Sequence, residues 1–271
     1  LKLTAEQTPP REAARQGKVP LSRIQAVLHN AVESGLLIKP ESGINRDPDM
    51  FAPGPDNTPF LSTDVFTLQW HITQACDLHC RHCYDRSDRK PLALADARSI
   101  LDDFFDFSQA MNVRGHVTFT GGNPLLHPDF FRFYQGAADR GFSTAVLGNP
   151  AREGILDRLR AIQLPTHYQV SLEGLQPYND YIRGDGHFLR TLDFLDSLRK
   201  KGIYAMVMLT LNRDNMDQVL PLAEMLRNRA DSFTFNRLAM VGEGKNLRLP
   251  DPGAFTEFLA DYLAALPTNP I

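Results

Sequence analysis

The 271-residue sequence predicts an α/β fold built on a parallel sheet. Two observations predict it. Six strand-like runs alternate with helix-like runs from about residue 64 onward. The side chains with distinctive chemistry fall in the loops that follow those strands, where parallel α/β folds bind ligands. The first 62 residues read differently, as a helical segment followed by a linker.

Within that N-terminal segment, residues 20–40 (PLSRIQAVLHNAVESGLLIKP) carry Ile24, Val27, Leu28, Ala31 and Val32 at the spacing of one helical face. Ser22 is the expected N-cap and Gly35 the expected residue just past the helix end. A short strand, LLIK, is expected next. Helix, Gly and strand in this order resemble the last helix and wing of a winged-helix module. An ordinary helical extension packed on the main domain explains them equally well. The run ESGINRDPDMFAPGPDNTPF is rich in Pro, Asp and Gly and reads as a loop or linker.

The strand-like runs are FTLQWHIT (66–73), HVTFT (116–120), STAVLG (143–148), HYQVSL (167–172), IYAMVMLTL (203–211) and SFTFNRLAM (232–240). Helix-like runs lie between them at 94–111, 128–141, 152–162, 186–202 and 215–229, and a last one covers 252–266. Strands alternating with helices give parallel neighbours and right-handed crossovers. Six units are fewer than the eight of a complete (β/α) barrel, so the sheet is either doubly wound and open or an incomplete barrel. The organisation expected is an N-terminal segment and linker at 1–62, an α/β core at 63–250 and a C-terminal helix at 251–271.

A net charge of −3 gives no broad attraction to nucleic acid or to an anionic membrane. No apolar run approaches the roughly 18 residues of a spanning helix, and the first residues lack the apolar stretch of a signal peptide. The chain opens on Leu1 rather than Met, which implies a trimmed start. Three cysteines, an odd number packed into eight residues, do not make a secreted disulfide framework. A reducing, cytoplasmic setting fits, and clustered thiols there point to metal.

Those cysteines are Cys76, Cys80 and Cys83, in ACDLHCRHCYD. A C-x3-C-x2-C spacing lets three thiolates face one centre. Structural zinc takes four ligands, and His71, His79 or His82 would have to complete a Cys3His site. Iron–sulfur clusters are also held by thiolates, normally four. Three thiolates on a cubane cluster leave one iron open, which suits a reactive site.

CDLHCRHCY resembles the signature of the radical S-adenosylmethionine (SAM) enzymes, and the resemblance covers about residues 64–250. It implies an incomplete (β/α)6 barrel and a [4Fe–4S] cluster on the three cysteines, with the fourth iron chelated by the amino and carboxylate groups of SAM. It also implies reductive cleavage of SAM to methionine and a 5′-deoxyadenosyl radical, which removes a hydrogen atom from substrate. His82, before the last cysteine, is the flat ring expected near the adenine. TGGNP (Thr120, Gly121, Gly122, Asn123) resembles the family's GGEP loop; as residues alone it reads as a turn. Its glycines would admit the methionine part of the cofactor. Asn123 replaces the family's Glu, which accepts a hydrogen bond from the ammonium, so the contact here brings no charge.

SLEG followed by YNDYIRGDGHF resembles the SPASM-type, peptide- and protein-modifying branch. By that match Ser171 contacts the ribose with Glu173 nearby, and Arg183 pairs with the methionine carboxylate. Asn149, after the third strand, and Leu238, after the sixth, complete the expected cofactor contacts. No residue is assigned as catalytic acid or base. The partners implied are a ribosomal precursor peptide, its leader bound by the N-terminal segment through strand addition, and a flavodoxin- or ferredoxin-type reductant. A small metabolite is the alternative substrate, and a zinc-stabilised binding module the non-enzymatic alternative. SPASM-type enzymes carry auxiliary clusters after the barrel. This sequence has no cysteine beyond Cys83, so such a region either lies past residue 271 or is absent.

Overall fold

The structure is a computed structural model and describes residues 8–47 and 61–268. Six strands form one sheet in sequential order: β1 (Val65–Thr73), β2 (Arg114–Gly121), β3 (Ser143–Leu147), β4 (Tyr168–Ser171), β5 (Ala205–Leu211) and β6 (Ser232–Arg237). The pairs β3–β4, β4–β5 and β5–β6 are parallel, with Val170 opposite Val207 and Leu209 opposite Phe235. The alternation read from the sequence is therefore the topology observed.

Two helices precede the sheet, α1 (Pro10–Gly17) and α2 (Leu21–Glu33). The crossover helices are α3 (Leu94–Ala110), α4 (Phe130–Asp139), α5 (Glu153–Ile162), α6 (Gln176–Arg183), α7 (His187–Lys200) and α8 (Val219–Leu226), and α9 (Pro252–Ala265) follows β6. The sequence had no signal for α1 or α6. In α6 only Asn179 and Ile182 are buried, so a short helix with one apolar anchor shows no periodic stripe.

The N-terminal segment corrects two expectations. Ser22 lies inside α2; the cap position is Pro20, whose extended backbone starts the helix without a side-chain bond. Residues 36–39 form no strand: Leu36 and Ile38 are exposed, Ile38 at 97%, and the segment has no ladder partner among the described residues. The expected wing is thus missing there. Gly35 does end α2 in the left-handed region (φ +69°), with Leu36 N–H on Ala31 O at 2.8 Å. The linker reading falls mostly on residues 48–60, which lie outside the described residues.

The chain divides into two compact units. The first comprises Leu1–Trp70, Leu92–Thr118 and Asp129–Thr144. Its core is aromatic: Trp70 stacks on Phe133 at 5.6 Å, and Phe104 meets Phe142 at 4.8 Å. Asp102 takes Arg11 at 2.8 Å and Arg140 at 3.0 Å, tying α1 and α4 to α3. The second unit comprises His71–Pro91, Phe119–Pro128 and Ala145–Ile271. On β5, Ala205, Val207, Leu209 and Leu211 are fully buried while Met206, Met208 and Thr210 are half-buried. Strand alternation therefore turns one face into the core and the other toward a more open side.

Candidate active site

Every residue assigned to the site from the sequence lies in the second unit. The cysteine loop leaves β1 and is stitched by its backbone. Cys83 N–H donates to Cys80 O at 3.2 Å, Arg81 N–H to Ile182 O at 2.9 Å, and Glu243 N–H to Cys83 O at 2.8 Å. Arg86 Nη2 adds a bond to Cys80 O at 2.8 Å. None of the three cysteines is in a disulfide; Cys76 is exposed and Cys80 and Cys83 half-buried, and Cys83 Sγ donates to Asp85 O at 3.3 Å.

Two nitrogen donors reach the sulfurs. Asn149 Nδ2 lies 3.6 Å from Cys76 Sγ, and Arg183 Nη1 lies 3.8 Å from Cys80 Sγ. Burial pushes the Cys80 thiol pKa up, and the Arg183 charge pulls it the other way. A metal must therefore displace a proton there.

The glycines after β2 lie directly on this loop. Gly122 N–H donates to Thr73 O at 2.8 Å, and Asn123 N–H to Ala75 O at 2.7 Å. A Cβ on Gly121 would come within 2.3 Å of Thr73 O, and one on Gly122 within 2.4 Å of Ala75 O. Gly121 also has φ +151°. Only glycine permits this approach of backbone to backbone. Thr120 and Ser171 are half-buried at the carboxyl ends of β2 and β4.

Asn123 and Asn149 are buried, and both amides turn to one carboxylate. Asp77 Oδ1 accepts Asn149 Nδ2 at 2.6 Å and Asn123 Nδ2 at 3.0 Å. Asn123 Oδ1 accepts Leu125 N–H at 3.3 Å, capping a 3-10 turn at Pro124–Leu126. Tyr168 OH donates to Asn149 O at 2.7 Å, which fixes the turn after β3. Asp77 went unassigned in the sequence, although its place beside Cys76 was the available signal.

The third cluster surrounds Glu173, which is 1% exposed. Its Oε1 accepts Arg183 Nε at 2.8 Å and Nη2 at 2.5 Å, and its Oε2 accepts Thr210 N–H at 2.8 Å. His82 Nε2 stands 3.3 Å from Oε1. Burial alone would raise this carboxyl; the charges of His82 and Arg183, with bonds from His82 and the Thr210 backbone, outweigh it and hold the pKa at about 2. Arg183 thus has a protein partner, and Glu173 is committed to it. Asn179 and Asn215, which the sequence did not mark, hold the Glu173 backbone: Glu173 N–H donates to Asn179 Oδ1 at 3.1 Å, and Asn215 Nδ2 to Glu173 O at 2.8 Å. Leu238 is buried, its N–H on Leu211 O at 2.8 Å, with its Cδ1 next to Gly244.

Arg183 ends α6, and Gly184 and Gly186 take positive φ to reverse the chain into α7. Asp180 closes the turn by accepting Gly186 N–H at 3.0 Å and Phe188 N–H at 2.8 Å. Behind it, His187 is 1% exposed and receives Asn179 Nδ2 on Nδ1 at 3.2 Å. Burial, and then the charges of Arg183 and Arg190, lower its pKa to about 4. An unfolded histidine titrates near 6.5. Stability from neutral His187 is therefore complete above about pH 6.5 and is lost as pH falls toward 4. Between pH 7.5 and 5 the loss is about 2 kcal/mol. Denaturant titrations at the two pH values check it; His187→Asn flattens the difference.

The histidines of the zinc alternative are engaged elsewhere: His71 Nε2 with Gln74 Oε1 at 2.7 Å, His79 with Arg86, and His82 with Glu173. Among the described residues, no three His, Cys, Asp or Glu side chains converge as one ion requires. A cluster seats each thiolate on a different iron and does not need such convergence. The donors fit a cluster and a nucleotide in three respects. The three cysteines are not in disulfides, glycines open a backbone cradle, and His82 Nδ1 is buried without a partner.

A family model for the radical SAM superfamily matches residues 70–226, more than half of the chain. The chain belongs to the radical SAM superfamily. Membership implies a [4Fe–4S] cluster and SAM as the family's shared equipment. The mycofactocin maturase MftC of Mycobacterium ulcerans is 28% identical over 204 residues, 73% of this chain and 54% of that protein. Fe-coproporphyrin III synthase of Methanosarcina barkeri is 25% identical over 188 residues, 66% of this chain and 45% of that protein. The chain thus spans about half the length of the curated relatives it matches. Streptococcus suis SuiB bound to its precursor peptide SuiA shares the fold at a TM-score of 0.63 and 16% identity, covering 90% of this chain and 58% of that one. No helix among the described residues is long and apolar enough to cross a membrane.

Proposed function

We propose that this chain is the core of a radical SAM peptide maturase, with a [4Fe–4S] cluster on Cys76, Cys80 and Cys83. The carrying observation is that the three unbridged cysteines, the Gly121–Gly122 cradle and the buried Arg183–Glu173–His82 cluster sit within one compact unit. When bound, the cluster and SAM supply a radical that takes a hydrogen atom from substrate.

The chain's own residues bind, orient and shield. Asn149 and Arg183 hold N–H groups toward the Cys76 and Cys80 sulfurs, the kind of contact that tunes cluster potentials. Glu173 keeps Arg183 in place, so Arg183 can offer only its remaining N–H groups to a methionine carboxylate. His82, with a free Nδ1, and Leu238 are the proposed adenine neighbours, and Thr120 and Ser171 border the nucleotide.

The proposed organisation is a leader-binding segment at 1–62, an incomplete (β/α)6 barrel at 63–250 and a helix at 251–271 leading to any auxiliary clusters. A flavodoxin or ferredoxin is the proposed reductant, in the cytoplasm. The peptide substrate is supported by the maturase among the relatives and by the SuiB likeness, the second reading, a small metabolite, by the tetrapyrrole synthases among the relatives.

Anaerobic incubation of reconstituted protein with SAM and dithionite yields 5′-deoxyadenosine. A protein that holds about four irons yet forms none overturns the assignment. A candidate precursor peptide, added to the assay, raises the yield and changes mass on the peptide-maturase reading; a response to a tetrapyrrole instead favours the second reading.

A further inference from the structure

Asp77 is the one carboxylate that the cysteine loop presents to the loops after β2 and β3. Its Oδ1 is held from two sides by Asn149 at 2.6 Å and Asn123 at 3.0 Å. Both asparagines are themselves buried, at 8% and 4% exposure, so the carboxylate is aimed by rigid groups. Neither amide carries charge. Among the described residues no Lys, Arg or His forms an ion pair with Asp77; the residue is exposed, and both of its asparagine bonds fall on Oδ1. The other acid of the site, Glu173, is already neutralised by Arg183. Asp77 is therefore a fixed negative charge without a counter-ion, one residue from Cys76.

A loop brace would work equally well with a neutral amide acceptor. A carboxylate in that position is useful when a cation arrives. Asn123 brings no charge to this part: its Nδ2 is donated to Asp77, and its neutral Oδ1 already accepts Leu125 N–H.

From this we infer that Asp77 is the cation acceptor for the amino-acid ammonium of SAM, with Asn123 and Asn149 acting as positioning residues that aim it. The inference rests on the SAM-binding reading above. It transfers the charge of that contact from the loop after β2 to the loop after β1.

The test is equilibrium dialysis on anaerobically reconstituted protein without reductant, so that nothing turns over. Three probes are used: SAM; S-adenosylhomocysteine, which keeps the ammonium but carries no sulfonium charge and weakens together with SAM if the ammonium is the partner; and 5′-methylthioadenosine, which lacks both charges. Asp77→Asn keeps an oxygen for both asparagine amides. It raises the dissociation constant for SAM roughly ten- to hundredfold, as loss of a charge-assisted hydrogen bond does. Iron content and 5′-methylthioadenosine affinity stay within about twofold. Adding Asn123→Glu to Asp77→Asn returns the charge to the neighbouring loop and recovers most of the loss. Equal SAM binding by Asp77→Asn and unaltered protein overturns the inference, as does equal loss of SAM and 5′-methylthioadenosine, which marks a brace, or unchanged S-adenosylhomocysteine binding, which moves the contact to the sulfonium. Failure of the unaltered protein to bind SAM overturns the underlying reading as well.

Discussion

Cys80→Ala lowers 5′-deoxyadenosine formation by at least about a thousandfold, the scale on which an essential group acts, and bleaches the cluster absorbance of the reconstituted protein. The substitution is clean because the backbone carries the loop. Cys80 O still accepts Cys83 N–H and Arg86, and Arg183 keeps both bonds to Glu173. The thiol is half-buried, so its removal costs at most about 1 kcal/mol of stability in the metal-free protein. Metal analysis separates this from structural zinc. A zinc module binds one zinc and loses stability when His71, His79 or His82 is replaced. Here His79→Ala leaves iron content unchanged, since His79 is engaged by Arg86. Retention of iron and activity by Cys80→Ala contradicts the ligand assignment.

How much of this was legible beforehand depended on the kind of signal. Strands β1 to β6 were readable because each is a β-branched or apolar run bounded by turn residues, and their parallel order follows from the helices between them. The cysteines were readable because ligand spacing is local. The LLIK strand failed for the opposite reason: β-propensity at Leu36 and Ile38 means nothing without a ladder partner. Helix α6 was masked by its polar composition. Asp77 and Asn215 were missed because the site residues they hold lie at least 42 positions away, and Asn and Asp otherwise read as turn formers, while Asn179, six positions from Glu173, was missed with the helix that carries it. Glu173 and Arg183 were both found, yet their mutual bond was not, because the helical turn that brings them together was unseen.

That bond carries the second large effect. Glu173→Ala destabilises the metal-free protein by about 3–5 kcal/mol, the usual cost of removing one member of a buried ion pair. Arg183 is then left buried without a counter-charge, and Thr210 N–H without its acceptor. Glu173→Gln also destabilises, since its amide sets a donor against either Arg183 or Thr210 N–H. The pH dependence has a definite sign. The folded carboxyl sits near 2, below its unfolded value of about 4.5, so its contribution is complete above pH 4.5 and fades only as pH falls toward 2. The gap between unaltered protein and Glu173→Gln therefore stays constant from pH 6 to 8 and narrows below 4.5, as denaturant midpoints followed by circular dichroism will register. A charge-free pair, Glu173→Gln with Arg183→Met, recovers part of the loss because no buried charge is orphaned. If instead the double variant is as unstable as the sum of the singles, the pair acts as two independent side chains. The positioning of Arg183 against Cys80 must then come from helix α6 alone.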